Sequence, residues 1–426
     1  MSQYLGVTFH GITTKWELKT FTLENIECPP PHDSDSIMTA LQDVMAEWRI
    51  TPERLAAIVT DSAANMLKAV RELDWSHIPC FGHTLNLMVR AGLDCRQVHN
   101  TIARCAKIVE FVNKSSKAKY LLTEKQQQLD LPNHKLVQDV KTRWNSTHDM
   151  LTRILEQQQA ICAMLLELKK QELMPTVDEF RTIEQLVELL EPVKDMTEFF
   201  SGATYATSTG VLPCIVKLET ILDNKADDTR ELLATKEAMR KKLNDCFERR
   251  YTMDTLDMCT LLDPRFKAMP FYNDAKRQQL HQKLKDQLMS LDVDGDRDNA
   301  PPADPVEVQP EKKARARSLF EGIYTQPQPQ QDDALQPREN EIRDEMSRYL
   351  LEPSKSLETN VVSWWMLNEQ RFPFLAKLAR KYIAIPATSV PAERLFSTAG
   401  NIVTAKRACL LPQNVRYLTF LHDNLA

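Results

Sequence analysis

The chain has 426 residues, of which 42% are hydrophobic and 27% are charged, and its formal net charge is -5. It is long enough to bury more than one core, but its charge gives no overall attraction to nucleic acid, so contact with DNA needs local patches or a part outside this sequence. It contains neither an apolar run long enough to span a bilayer nor the pattern of a secretory signal, so we expect an intracellular protein without a membrane partner. The nine cysteines form no Cys-x-x-Cys pair and are expected to be reduced thiols.

The first 146 residues carry strand and helix signals in alternation. Residues 4 to 28 alternate β-branched or aromatic side chains with polar ones, which predicts a hairpin. An amphipathic helix is predicted from Asp33 to Trp48, followed by a strand from Leu55 to Val59 that leads into Asp61. Further helices are predicted at 63–73, 83–91 and 98–113, with a short strand at 136–140. This order indicates a mixed α/β sheet.

The middle of the chain is predicted to be helical. Apolar residues recur at helical spacing over most of the range from 147 to 352. Residues 292 to 338 instead contain Pro301-Pro302, alternating Pro and Gln, and few apolar side chains, which predicts a disordered linker. Within this linker, the basic run from Lys312 to Arg317 is either a solvated charge run or a nuclear import signal.

Two acidic residues are candidates for a functional site. Asp61 stands at the carboxyl end of a predicted strand, where side chains of α/β sheets leave the packed layer for a crevice. The alternative is that Asp61 caps the helix that follows. Glu393 stands between a helix start at Pro391 and the apolar pair Leu395-Phe396, so we expect its side chain to point inward.

The sequence around Glu393 resembles that of a known superfamily. The run Ala-Thr-Ser-Val-Pro-Ala-Glu-Arg-Leu-Phe-Ser-Thr-Ala-Gly at 387–400, with Trp364-Trp365, the helix at 375–383 and the segment at 410–415, resembles the C-terminal dimerisation region of hAT (hobo/Activator-type) transposases. The segment Thr60-Asp61-x-x-x-Asn65-Met is similar to the second acidic motif of their catalytic domain. The chain therefore resembles transposase-derived proteins of the BED-type zinc finger family.

The resemblance implies a fold and its boundaries. The expected class is α/β, with a ribonuclease H-like domain interrupted by a large all-helical insertion and a helical C-terminal dimerisation region. The first part of the ribonuclease H-like domain is expected at 1–146, the insertion with its linker at 147–352, and the dimerisation region, which completes the first domain, at 353–426. The opening strand and the N-terminal zinc finger of the family are expected to be absent, and the true start codon stays open.

The resemblance also implies a catalytic centre. In this fold three carboxylates hold two Mg²⁺ ions that activate an oxygen nucleophile and stabilise the leaving oxygen. Asp61 matches the second carboxylate and Glu393 the third, whereas the first has no counterpart. We therefore expect no cofactor in the chain as given, with Mg²⁺ on Asp61 and Glu393 only if the acidic site is functional, and no transposition by this polypeptide alone.

Two further motifs are candidates for DNA contact. Cys80 and His83 either begin a zinc site, for which no second pair stands at finger-like spacing, or are a buried thiol and a hydrogen-bonded imidazole. They match a Cys-x-x-His motif that in the family lies beside the catalytic centre and positions DNA. In the pair Arg143 and Trp144, the Trp has a packing role by default. The resemblance implies instead that the Trp stacks on an unpaired base and the Arg contacts phosphate.

The apolar residues of the C-terminal region exceed what a short tail needs, so part of them is expected to pack on another subunit. The resemblance assigns dimerisation, or a higher oligomer, to Trp364, Trp365, Leu375, Leu378 and Phe396. The expected function is that of a catalytically inactive, transposase-derived nuclear protein that self-associates and contacts DNA weakly or with a partner's help. The alternatives are a fragment of an active transposase with an Asp/Asp/Glu two-metal site, and a structural interaction protein that does not bind DNA.

Overall fold

The N-terminal residues form the predicted hairpin. The computed structural model describes residues 3–28, 33–140, 144–202, 207–247, 250–291, 337–395 and 412–425. Strand β1 (Gln3–Ile12) pairs antiparallel with β2 (Leu18–Cys28), with a register shift between Val7 and Thr8. Such an irregularity increases the local twist of a strand pair.

A second pair of strands follows in parallel orientation. Strand β3 (Ile58–Thr60) pairs with β4 (His77–Pro79), and the crossover between them contains helix α2 (Ala64–Glu72). The Thr60 hydroxyl lies 2.9 Å from Nε2 of His77, which links the two strands through their side chains as well. Among the described residues the two pairs form separate two-stranded sheets, and not the single mixed sheet that the sequence indicated.

Helices cover both sheets. Helix α1 (Ser34–Glu47) begins at Asp33, whose carboxylate accepts the N–H of Ser36, as expected for an N-cap. Helix α3 (Phe81–Leu93) follows β4 directly, and α4 (Arg96–Lys114) and α5 (Ser116–Gln128) come next. The strand predicted at 136–140 was wrong: these residues have no regular secondary structure and no strand partner among the described residues.

The long helical region is confirmed. Helix α8 begins with a capping box in which the Thr176 hydroxyl accepts the N–H of Glu179 and the Glu179 carboxylate accepts the N–H of Thr176. The linker predicted at 292–338 lies outside the described residues up to 336, and its last two residues begin a helix. The helices are α6 (Trp144–Glu156), α7 (Gln158–Glu167), α8 (Val177–Phe200), α9 (Val211–Ile221), α10 (Arg230–Phe247), α11 (Arg250–Leu261), α12 (Asp274–Met289) and α13 (Pro337–Leu351).

The C-terminal helices return to the N-terminal sheets. Helices α14 (Val361–Asn368) and α15 (Pro373–Ile383) precede a helical segment over 390–395, and α16 (Pro412–Leu425) is the last element. Helix α16 packs on β2, where the Asn424 amide accepts the Thr22 N–H at 3.1 Å and donates to its carbonyl at 2.9 Å. The last helix is thereby hydrogen-bonded to the N-terminal hairpin.

One hydrophobic core connects these parts. Buried side chains from β4, α3 and α8 to α15 form a continuous cluster, so the helical region and the strand-bearing region share their interior. Within the described ranges, none of the helices combines the length and the apolar content that crossing a bilayer requires.

Candidate functional site

Asp61 lies directly after β3, in the short loop that leads to α2. Its side chain is exposed, and Oδ1 accepts the N–H of Ala63 at 3.1 Å. The next residue, Ser62, has φ 66°, a left-handed conformation that is uncommon for residues other than glycine. The turn therefore presents the Asp61 carboxylate to solvent at the carboxyl end of the strand, where the sequence predicted it.

Glu393 lies on the helical segment at 390–395. Its N–H donates to the carbonyl of Ser389 at 3.0 Å, and its Oε1 accepts the hydroxyl of Ser389 at 3.2 Å. The side chain is exposed, so the expectation that it points inward was wrong. Leu395, two positions later, is the residue of this segment that enters the core.

Cys80 joins the segments that carry these two carboxylates. Its N–H donates to the carbonyl of Thr60, the residue before Asp61, at 2.7 Å. Its buried Sγ accepts the N–H of Ser389 at 3.3 Å, and the N–H of Phe81 donates to the carbonyl of Ala387 at 2.8 Å. The end of β3, the start of α3 and the segment before Glu393 are therefore held together at one edge of the small parallel sheet.

His83 completes the first turn of α3. Its N–H donates to Sγ of Cys80 at 3.5 Å, so the thiol caps the helix, and its side chain is half-buried. The buried thiol fits the packing interpretation of Cys80, whereas the hydrogen bond expected of the His83 imidazole stays a prediction. The proximity of Cys80 to the Ser389 segment also agrees with a place beside the acidic residues, while a role in DNA positioning stays a prediction.

Ser389 was not singled out from the sequence, although it is the residue that contacts both Cys80 and Glu393. A signal for it exists. Ser389 stands two positions before Pro391 at a helix start, which is typical of residues that satisfy the free N–H groups of a helix N-terminus.

The second DNA-contact motif is described only in part. Arg143 lies outside the described residues. Trp144 begins α6 and is 5% exposed within the core cluster, as the packing interpretation expects. A base can stack on this ring only if the ring becomes uncovered, so its contact with DNA stays a prediction.

The described residues supply part of a metal site at most. Within them, no three His, Cys, Asp or Glu side chains lie close enough together to hold a metal ion. The two exposed carboxylates Asp61 and Glu393 fall short of the three that a two-metal centre of this type uses. Mg²⁺ binding therefore stays a prediction for these two residues.

Four of the five residues predicted for dimerisation lie in the interior. Trp365 and Leu375 are fully buried, and Trp364 and Leu378 are 9% and 3% exposed. The indole N–H of Trp365 donates to the carbonyl of Leu262 at 2.9 Å. These four side chains stabilise the chain's own core, which differs from the prediction that they face a second subunit. Phe396, the fifth, lies outside the described residues.

The exposed apolar residues of this region are different ones. In the C-terminal helices they are Met366, Leu367, Tyr417, Leu418 and Leu421, with Leu367 76% and Tyr417 61% exposed. Fully buried residues cannot contact a second subunit without unfolding, whereas these can. They are the better candidates for contacts between copies of the chain.

Three family models match successive parts of the chain. The first is described as the ZBED1 RNase-like domain and matches residues 1–78, and the second, the ZBED1 RNase-like helical domain, matches 78–189. The hAT family C-terminal dimerisation region matches 345–425, which includes Glu393. The first two models meet at Ile78, the middle residue of β4.

Relatives cover nearly the whole chain at low identity. The human zinc finger BED domain-containing protein 4 is 26% identical over 95% of this chain and 34% of its own length. The putative AC transposase of Zea mays is 23% identical over 99% of the chain and 55% of its own length. Zinc finger BED domain-containing protein RICESLEEPER 2 of Oryza sativa subsp. japonica is 21% identical over 99% of the chain and 62% of its own length. The chain thus spans between about a third and three fifths of these relatives.

The matches to RNase-like domains over residues 1–189 and to the hAT dimerisation region over residues 345–425 define a transposase-type protein. More particularly, the chain belongs to the hAT superfamily of transposase-derived proteins, together with BED zinc finger proteins and AC transposases.

Proposed function

We propose that this chain is a catalytically inactive, transposase-derived nuclear protein that self-associates through its C-terminal region and contacts DNA near Asp61 and Glu393. The observation that carries the proposal is the connection of the Glu393 segment, inside the matched dimerisation region, to the carboxyl end of β3 through Cys80 and Ser389. The names of the relatives, which include a transposase and BED zinc finger proteins, support the same class.

The proposed architecture is a ribonuclease H-like domain interrupted by the helical region. The N-terminal hairpin, the parallel pair β3–β4 and the match of 1–78 to an RNase-like domain support it. Helices α6 to α13 lie between these strands and the C-terminal segment in sequence. The hydrogen bond from Phe81 to Ala387 supports the return of the chain to the same domain.

Self-association is proposed to use the exposed apolar residues of the C-terminal helices. Leu367→Glu places a charge on a side chain that is 76% exposed, so it is expected to weaken the oligomer while leaving the fold intact. Light scattering coupled to size-exclusion chromatography measures the mass. The control is Leu166→Glu on α7, whose side chain is 53% exposed and lies outside the matched dimerisation region. A monomeric wild-type protein at all concentrations would refute this part of the proposal.

DNA contact is proposed for Arg143, beside the start of α6. Arg143→Ala is expected to weaken binding to fluorescent single-stranded DNA and to reduce the salt dependence of binding by about one charge, because one phosphate contact is lost. Fluorescence anisotropy at several salt concentrations measures both. The control is Arg343→Ala, which removes the same charge from an exposed position on α13. Equal losses in both variants would contradict the assignment.

Catalysis is proposed to be absent because the two-metal centre of this type uses three carboxylates, whereas within the described residues no three His, Cys, Asp or Glu side chains lie close enough together to hold a metal ion. With Mg²⁺ or Mn²⁺ present, supercoiled plasmid is therefore expected to stay intact in the presence of the chain. The alternative of an active fragment predicts that the plasmid is cut. Cleavage that Asp61→Asn abolishes would establish the enzyme instead.

A nuclear location is proposed from the basic run 312–317 and from the class of the relatives. Replacing Lys312 and Lys313 by Ala is expected to move a fluorescent fusion out of the nucleus, and a distribution that stays nuclear would remove this run as the import signal.

A further inference from the structure

Helix α5 presents an exposed aromatic ring between two positive charges. Tyr120, in the second turn of the helix, is 73% exposed. Lys117 and Lys119 are exposed as well, and in the part of the chain that the structure describes neither forms an ion pair with a carboxylate. With 3.6 residues per turn, Tyr120 lies about 60° around the helix from Lys117 and about 100° from Lys119. The tyrosine therefore stands between the two lysines on the solvent-facing side of α5.

The carboxylates that flank this ring in sequence have other partners. Glu110 forms an ion pair with Lys114 near the end of α4. Glu124, one turn after the ring, accepts the side-chain amide of Gln128 at 3.0 Å. The two lysines beside the ring are therefore not neutralised by these carboxylates, and they can meet an anionic partner.

An irregular segment over 134–140 lies alongside α5. Near the end of the helix, the Gln126 amide donates to the carbonyl of His134 at 2.9 Å. Just before the helix begins, the Asn113 amide donates to Oε1 of Gln138 at 3.4 Å. The segment thus runs antiparallel to α5, and residues 138–140 reach the level of its first turns. In sequence Arg143 follows three positions after this segment.

Side chains of neighbouring helices hold this segment in place. The Arg153 guanidinium of α6 donates to the carbonyl of Lys135 at 2.6 Å. The N–H of Val140 donates to the hydroxyl of Ser146, also on α6, at 2.8 Å. A segment without strand or helix bonds that is fixed by a rigid scaffold is typical of binding surfaces, because little order remains to be gained when the partner binds.

The combination of groups matches an unpaired polynucleotide strand. An exposed tyrosine ring offers a face on which a base stacks, and the ammonium groups on either side suit phosphates. In a duplex the neighbouring bases already cover each base face, so stacking on a protein ring needs an unpaired base. An acidic peptide would use the lysines and leave the ring without a partner.

We propose that Lys117, Lys119 and Tyr120 form a binding site for unpaired DNA, the α5 platform, in which the ring stacks on a base and the lysines contact phosphates of the same strand. The inference rests on the proposed DNA contact. It extends that contact from the segment before Arg143 to the first turns of α5, which the residues at 138–140 adjoin.

The first test measures stacking. The probes are a fluorescent oligothymidylate of about 12 nucleotides and a blunt duplex of the same length, followed by anisotropy. Tyr120→Ala is expected to weaken binding of the single strand about fivefold or more, because one stacked base is lost, and binding of the duplex by less than about twofold. Tyr120→Phe keeps the ring and is expected to bind like the wild type. Equal losses for strand and duplex, or an equal loss in Tyr120→Phe, would overturn the proposal. Circular dichroism confirms that both variants fold.

The second test counts phosphate contacts. The slope of log affinity against log salt is expected to fall by about 1.4 in Lys117→Ala/Lys119→Ala, since each phosphate contact to a single strand contributes about 0.7. The control is Lys217→Ala/Lys241→Ala, which removes the same charge from exposed positions on α9 and α10. The same change of slope in both double variants would show that only overall charge matters, and would refute the site.

The third test locates the strand and excludes a merely acidic partner. An oligonucleotide that carries iododeoxyuridine is expected to crosslink to Tyr120 on irradiation, and crosslinks found only elsewhere would contradict the platform. Polyglutamate at the same concentration of charge is expected not to displace the oligonucleotide. Displacement would identify an acidic polypeptide as an equal partner and would remove the case for DNA.

Arg143→Ala separates this inference from the proposed function. If Tyr120→Ala weakens binding of the single strand and Arg143→Ala does not, the α5 platform stands and the proposed contact of Arg143 falls. The opposite result removes the platform and leaves the proposed function intact. A wild-type protein that binds neither the single strand nor the duplex would overturn both.

Discussion

Cys80 and Ser389 are 309 positions apart, yet the N–H of Ser389 donates to Sγ of Cys80 at 3.3 Å. The thiol is 2% exposed and also accepts the N–H of His83, so a single sulfur atom satisfies two backbone donors from distant parts of the chain. Sulfur is a weak acceptor, but a buried N–H without any partner costs more than a weak bond returns. The contact is therefore a structural link between the start of α3 and the segment of Glu393.

The first prediction concerns this link. Cys80→Ala removes the acceptor of both N–H groups and leaves a small cavity, so it is expected to lower the free energy of unfolding by about 2–3 kcal/mol. Urea unfolding followed by circular dichroism measures the change. Cys80→Ser keeps an acceptor in a similar volume and is expected to lose less. Equal stability of Cys80→Ala and the wild type would show that the link is energetically unimportant.

The hairpin and most helices could be predicted because their signals are local. Alternating β-branched residues marked β1 and β2, and Asp33 marked the start of α1. Strand β4 has only three residues and gains its identity from pairing with β3, which is not encoded within those residues. The alternation at 136–140 looked similar but has no partner strand in the described chain. Pairing between distant segments decides such short elements.

The candidate site was predictable in its positions and less so in its side-chain environment. The chain places Asp61 at a strand end, as the pattern indicated. The exposure of Glu393 depends on the hydroxyl of Ser389 and on which face of a short helical segment meets the core. Likewise, the sequence suggested that Trp364 and Trp365 exceed what the core of the chain needs, whereas in the fold both rings pack in an aromatic cluster with Tyr349 and Phe372. Side-chain environments of this kind depend on tertiary contacts, which local sequence patterns do not encode.

The second prediction is a pH dependence that originates in the hairpin. Burial lowers the pKa of His10 to about 4, and its ring nitrogens lie within 3.1 Å of the Thr8 hydroxyl and 3.0 Å of the Thr20 hydroxyl. As the pH falls, the His10 imidazole therefore binds a proton in the unfolded chain before it does so in the folded protein. The contribution of neutral His10 to the free energy of unfolding is complete above the unfolded pKa of about 6.5 and is lost as the pH falls toward 4.

The comparison uses His10→Gln, which keeps hydrogen-bonding groups but does not titrate. Urea unfolding at pH 7 and pH 5 is expected to show a larger loss of stability in the wild type than in His10→Gln. Other groups also titrate in this window, so the difference between the two proteins is the relevant quantity. The same pH dependence in both would place the effect on residues other than His10.

The third prediction separates core from surface in the C-terminal region. Trp365→Phe loses the hydrogen bond to the Leu262 carbonyl and part of the packing on Trp16, whose ring centroid lies 6.5 Å away. Trp365→Phe is expected to lower the free energy of unfolding by about 1–3 kcal/mol without changing the mass of the assembly in native buffer. Leu367→Glu is expected to lower the mass of the assembly without changing the free energy of unfolding. A loss of self-association in Trp365→Phe with unchanged stability would restore the indole as an interface residue.

The fourth prediction concerns a buried ion pair in the helical region. The Lys236 ammonium lies 2.6 Å from Oδ2 of Asp228, and the two side chains are 2% and 3% exposed. Although burial acts to raise the pKa of Asp228, the N–H of Lys225 and the charged hydrogen bond from Lys236 hold this pKa below its ordinary value. The carboxylate therefore contributes stability at neutral pH, and this contribution is lost as the pH falls through the lowered pKa.

Asp228→Asn leaves the buried Lys236 ammonium with its hydrogen bond to the Asp223 carbonyl but without its carboxylate partner, so it is expected to lower the free energy of unfolding by about 3 kcal/mol at pH 7. The double variant Asp228→Asn/Lys236→Met removes both charges and is expected to be more stable than Asp228→Asn. Urea unfolding of the wild type, of Asp228→Asn, of Lys236→Met and of the double variant completes a mutant cycle. Strictly additive losses would show that the two charges do not interact, whereas partial recovery identifies the unpaired ammonium as the source of the destabilisation.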